Sequence, residues 1–121
     1  MLKNIEQITG INIDKGLKNI GYSESVYLEL LCSFFNSCKD YHQRITLANQ
    51  AGDTIQIKRI LHQLYGVAEL LGVEIVSNDC TFLLALPQAT ECSNSIISKK
   101  LDHLLQCLED LFNQYLSRAV P

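Results

Sequence analysis

Proline is almost missing from this chain: Pro87 and Pro121 are the only two in 121 residues. So few helix-breaking rings leave room for long uninterrupted helices. No alternating apolar and polar run and no Asn-Gly turn is present, which removes the usual signs of strands and hairpins. No stretch of eighteen apolar residues occurs, and the opening Met1-Leu2-Lys3-Asn4-Ile5-Glu6 lacks the apolar segment of a signal peptide. The expectation is a soluble cytoplasmic protein, or a soluble piece of something larger, with no membrane insertion. Ten basic residues are scattered among thirteen acidic ones, for a net charge of −3, so no basic stripe exists to hold nucleic acid or an anionic membrane.

Cysteines number five (Cys32, Cys38, Cys80, Cys92 and Cys107), an odd count without any Cys-x-x-Cys pair. All but Cys92 sit within or beside apolar helical stretches, which reads as free thiols packed as small hydrophobes. A zinc site needs ligands clustered at metal-binding spacing, and the spacing here offers none. No metal and no cofactor is therefore expected. The length suits one domain over residues 1–121, large enough to bury a core without metal or disulfide staples.

What is present is helical rhythm. A short opening helix is expected over Ile5 to Thr9, then a turn of helix from Asp14 to Ile20 ended by Gly21. The first long helix starts at Ser23 or Ser25, either serine being a suitable N-cap. Its apolar positions Tyr27, Leu30, Leu31, Phe34, Cys38, Tyr41, Ile45 and Ala48 keep i, i+3, i+4, i+7 spacing to about Asn49, and Gly52 breaks it. Asp53 opens the second long helix, which runs to Gly72. A third covers Val73 to about Leu86, with Ile75, Val76, Cys80, Leu83 and Leu84 inward, and Pro87 stops it. After the polar stretch Gln88 to Ser95, a fourth uses Ile97, Leu101, Leu104, Leu105, Leu108, Leu111, Phe112 and Tyr115. Four amphipathic helices with short connections favour an all-α, up-down antiparallel four-helix bundle with a short N-terminal helical segment.

The second long helix carries the most informative stretch. At about 100° per residue, Ile57, Ile60, Leu61, Leu64, Val67, Ala68 and Leu71 share one side, and His62 falls roughly 160° from the centre of that stripe. Gly66 lies beside it at i+4, with Lys58 at i−4, Arg59 at i−3 and Tyr65 at i+3. An exposed glycine in mid-helix costs about 1 kcal/mol relative to alanine. Close approach of something to the backbone beside the imidazole would explain it.

Taken alone, an exposed helical histidine is more often incidental than functional. A metal at His62 lacks a second histidine one turn away, and Glu69 is nearly two turns off. A Ser/His/Asp or Cys/His arrangement needs a cleft and an orienting carboxylate, which a convex polar face does not supply. Phosphoryl carriage suits the face better. An imidazole, with a reference pKa of about 6.5, is mostly neutral at cellular pH and can attack a phosphoryl group presented by a partner. Lys58 and Arg59 would stabilise charge on the transferring group.

These residues resemble the histidine-containing phosphotransfer (HPt) domains of multistep two-component signalling. The family's core motif reads His-x-Leu-Lys-Gly, with a further glycine six positions after the first. His62, Leu64, Gly66, Ala68 and Gly72 match it in register. Upstream, Gly52-Asp53 stands where the family often opens its histidine helix. The stretches Ile13-Asp14-Lys15-Gly16-Leu17, Gly21, Tyr27-Leu28-Glu29-Leu30-Leu31 and Phe34 resemble its N-terminal pattern.

The resemblance implies a helical bundle in which His62 accepts phosphoryl groups from receiver-domain aspartates, without kinase activity of its own. Its implied partners are a response-regulator receiver domain, a hybrid sensor histidine kinase, or both, met on a face made of Lys58, Arg59, Gln63, Tyr65, Gly66 and Glu69. The departure is Tyr65, which stands where the family has a lysine beside the phosphohistidine. The usual small residue before the histidine is Leu61 here, on the core side. A polar residue of the third helix often bonds the imidazole in relatives, and the matching Thr81-Phe82-Leu83-Leu84 offers no clear equivalent.

Two other readings stand beside the carrier. An HPt-like module could dock a receiver or kinase without transfer, Tyr65 having replaced the lysine. A structural dimerisation bundle could use the broad apolar stripe of the last helix, although a buried bundle face explains that stripe equally well and a monomer is expected. Met1 and the near absence of a linker favour a free-standing protein over part of a hybrid kinase. His42 and His103 read as solvated or half-buried structural residues.

Overall fold

The computed structural model describes residues 10–85 and 94–119. Among them the chain forms five helices and no strand: α1 (Ile13–Asn19), α2 (Glu24–Gln50), α3 (Thr54–Leu71), α4 (Glu74–Ala85) and α5 (Asn94–Ala119). The opening helix expected at Ile5 to Thr9, the stop at Pro87 and Cys92 lie outside the described residues. No described helix is long and apolar enough to cross a membrane.

Short polar side chains cap three of the helices, and the first of them is capped by Asn12, ahead of the Asp14 expected to head it. The side chains of Asn12, Ser23 and Asp53 accept hydrogen bonds from the backbone N–H of Lys15, Val26 and Gln56. Each satisfies one of the four donors that a helix N-terminus leaves unpaired. Ser23, not Ser25, is the cap of α2.

The four longer helices form a ring in which each packs against two others: α2 and α4 both lie against α3 and α5, while α1 sits mainly on α3. Contacts across the α2–α5 seam run antiparallel. Phe35 and Asn36 meet Tyr115, while Lys39 and His42 share a groove with Glu109, Phe112 and Asn113. Across the α4–α5 seam, Asp79 meets His103 and Phe82 meets Lys100, again in opposite directions.

Into the centre go Tyr27, Leu31, Phe35 and Ile45 from α2, Ile60, Leu64 and Leu71 from α3, Val76 and Cys80 from α4, and Leu104, Leu108 and Leu111 from α5. Periodicity misplaced some of the edges. Leu30 is 38% exposed, whereas Phe35, absent from the expected stripe, is fully buried. Because α2 is clasped by two helices, its buried arc turns toward Phe35, whose ring lies 5.3 Å from that of Tyr115. Ile57, Val67, Ile75 and Leu84 are only half-buried. Two polar residues, Ser77 and Asp79, are buried on α4 where only apolar positions were expected.

The C-terminal end of α3 is tied down with care. Its last carbonyls, which have no partner within a helix, all find donors. Val73 N–H reaches Ala68 O at 2.8 Å, and Gly72 N–H reaches Glu69 O at 3.4 Å. The Asn19 amide of α1 donates to Leu70 O at 3.1 Å, and the buried Tyr27 hydroxyl donates to Leu71 O at 2.8 Å. Gly72 takes a left-handed φ of +76°, and a Cβ there would run into the Asn12 carbonyl. The helix that carries His62 is thus held rigidly at one end by α1 and α2. Tyr27→Phe deletes one donor and leaves a buried carbonyl unpaired, so a loss of about 1–3 kcal/mol is expected in urea unfolding.

Candidate functional site

His62 is exposed in the middle of α3, on the side opposite the buried Ile60, Leu61, Leu64, Ala68 and Leu71. The position follows from helical geometry alone: four of those five residues fix which way the helix turns, and residue 62 is left facing out. Among the described residues its ring makes no hydrogen bond or ion pair. Thr81, the polar residue of the α4 segment weighed as a partner, donates its hydroxyl to the Ser77 carbonyl of its own helix at 2.8 Å.

The other residues expected on this face divide into three groups. Arg59, Gln63 and Gly66 are exposed, and Lys58 is half-buried. Tyr65 is also half-buried and packs against the core. Glu69 is already engaged: its carboxylate pairs with Lys15 of α1 at 2.5 Å. The Glu69 hydrogen bond holds the Lys15 ammonium above its usual pKa, with burial opposing and the charges of Glu69 and Glu74 adding to the rise. Glu69 therefore anchors α1 to α3, a role no local pattern shows because its partner is 54 residues away.

Gly66 is informative for what surrounds it. A Cβ added there would meet nothing within 4 Å. The fold has no steric need for glycine at this point, in contrast to Gly16, where a Cβ would collide with the Leu71 carbonyl and the Tyr27 ring. The helix-propensity cost of about 1 kcal/mol at Gly66 is offset by no contact within the molecule.

One cation escaped the sequence reading. Arg44 reaches from α2 to α3, where its guanidinium donates to the Gln63 side chain at 3.3 Å, while lying 3.7 Å from Asp40 and 5.7 Å above the Tyr41 ring. It brings positive charge to the residue next to His62. The signal that could have found it is the short turn between α2 and α3, which folds the last turns of α2 back along α3 as far as its middle.

His62 lines none of the described hollows, which lie along α1 and between α2 and α5. The surface presents an uncovered imidazole, with Arg59 exposed and Lys58 half-buried on the turn before it. A separate cluster corrects the expectation that no metal-ligand set exists: between α4 and α5 the fold brings together Asp79, His103 and Cys107. The described cysteines are free, Cys38, Cys80 and Cys107 being buried and Cys32 half-buried. Burial pushes the Cys38 and Cys80 thiols up to about 12, as expected of inert core residues.

The sequence model of the Hpt domain matches residues 29–114, most of the bundle and all of α3. Among curated proteins and solved structures, nothing matches the chain. With its helical ring and a match over more than two thirds of its length, the chain belongs to the Hpt domain family, the phosphocarrier modules of phosphorelay signalling.

Proposed function

We propose that this protein carries a phosphoryl group on His62 between the aspartates of receiver domains. One observation supports this above the others: an exposed imidazole at mid-helix stands beside a glycine whose missing side chain serves no contact inside the molecule. Absence of a side chain at Gly66 lets a partner's active site descend to the imidazole. A neutral ring nitrogen attacks the phosphorus of an aspartyl phosphate. The N–P bond forms as the P–O bond breaks, and the partner's carboxylate leaves with the electron pair. The receiver contributes its own carboxylates and Mg²⁺, while Lys58 and Arg59 lower the energy of charge developing on the phosphoryl oxygens. The docking face comprises Lys58, Arg59, Gln63, Tyr65 and Gly66, with Glu69 at its edge fixing α1. The partners are a response-regulator receiver, a hybrid sensor kinase, or both, and the carrier acts as a monomer in the cytoplasm.

Incubation of the full chain with a phosphorylated receiver domain and Mg²⁺ tests this. Transfer of the label supports the carrier. Absence of transfer from every receiver of the host overturns it in favour of a docking module, the second reading, which Tyr65 in place of the family's lysine favours.

Tyr65→Lys restores that lysine. Tyr65 is half-buried, so the new side chain lays its stem where the ring packed and carries the ammonium outward. An exposed charge interaction is worth about 0 to 1 kcal/mol. Phosphohistidine should accordingly form faster or hydrolyse more slowly, by about fivefold at most, in a time course of label retention. No change in either rate would show that the missing cation does not limit this protein.

A further inference from the structure

We propose that Asp79, His103 and Cys107 form a binding site for a divalent cation of the zinc class, with one coordination position left to water. The carboxylate comes from α4, and the imidazole and thiol come from α5, at i and i+4 on one face. One potential ligand atom from each lies within 4.8 Å of the other two. His103 Nδ1 is 2.5 Å from Asp79 Oδ2 and 3.7 Å from Cys107 Sγ.

Tetrahedral zinc, with bonds of about 2.0–2.1 Å to nitrogen or oxygen and about 2.3 Å to sulfur, sets its ligand atoms roughly 3.3–3.6 Å apart. The sulfur–nitrogen separation is already close to that. The nitrogen–oxygen pair must open by under ~1 Å, and the His103 side chain, 56% exposed, has solvent on one side to move into once a cation replaces its contact with Asp79. A mixed oxygen, nitrogen and sulfur set suits zinc and its spectroscopic substitute cobalt better than magnesium or calcium, which favour oxygen alone.

Surroundings complete the site. Asp79 is a nearly buried carboxylate in an apolar stretch of helix, and its second oxygen lies 3.6 Å from the Lys100 ammonium, which also sits 5.1 Å over the Phe82 ring. Lys100 thereby orients the carboxylate as an outer-shell partner does, while its charge limits the affinity for a second cation. Burial, reinforced by Asp79, pushes the Cys107 thiol up to about 11. The metal-free thiol is therefore protonated near neutral pH. Binding forms the metal–sulfur bond and releases that proton to solvent, with no change of oxidation state. A cation here would clamp α4 to α5.

Titration of the reduced full chain with Co²⁺ tests the assignment. The expected result is one ion per chain, with a thiolate-to-cobalt band in the near ultraviolet and visible bands of four-coordinate intensity, both lost on adding one equivalent of Zn²⁺. Cys107→Ser should remove the thiolate band. His103→Gln, at an exposed ring that the core does not need, should weaken binding at least tenfold with unchanged circular dichroism, and His42→Gln should leave it unaltered. Zn²⁺ should also raise the melting temperature of the wild type but not of His103→Gln, since it binds the folded state. Absence of the thiolate band in the wild type, its persistence in Cys107→Ser, or unchanged affinity in His103→Gln would overturn the site and leave Asp79–His103 as a hydrogen-bonded contact joining two helices.

Discussion

His62→Gln should abolish labelling by a phosphorylated receiver while the wild type is labelled under the same conditions with Mg²⁺. Glutamine keeps the polarity and approximate size of the side chain but has no nucleophilic nitrogen. Because residue 62 is exposed and without a hydrogen-bond partner among the described residues, the substitution should change stability by no more than about 0.5 kcal/mol. Loss of label would then report chemistry and not unfolding. The label on the wild type should be lost in acid and retained in base, as a phosphoramidate on histidine is, unlike a serine or tyrosine ester. Labelling that survives the substitution would remove His62 from the mechanism. His42 and His103 would be poor replacements: the first is half-buried in the α2–α5 groove, and the ring of the second is held by Asp79.

Two substitutions at Gly66 should separate stability from transfer in opposite directions. Alanine relieves the helix-propensity cost, and its Cβ meets nothing, so Gly66→Ala should raise stability by about 0.5–1 kcal/mol in urea unfolding. Gly66→Arg keeps a good helix former but erects a long side chain one turn from the imidazole. Transfer should fall at least tenfold while helical circular dichroism stays the same. Full transfer by Gly66→Arg would show that close approach at this point is not required. Destabilisation by Gly66→Ala would show that glycine serves the fold after all.

Much of the bundle is written locally. Ser23 and Asp53 cap their helices because a short oxygen-bearing side chain before an apolar run satisfies a free N–H whatever lies around it. Gly72 ends α3 because glycine takes φ +76° at no steric cost. The outward placement of His62 and Gly66 needs nothing beyond the phase of Ile60, Leu61, Leu64 and Ala68. The same phase argument erred at Leu30 and Phe35, since the buried arc of a helix with two neighbours depends on where both neighbours sit.

The sequence by itself therefore determined the helical character, the caps at Asp53 and Gly72, the exposed histidine and the open glycine beside it, since these depend on residues within a few turns of one another. Tertiary structure alone decided that Glu69 holds Lys15, that Arg44 reaches Gln63, and that Asp79, His103 and Cys107 converge. Each of those requires two helices to be set side by side in register. Side-chain reach is only a few ångströms, and no periodicity within one helix encodes what the next helix brings to it.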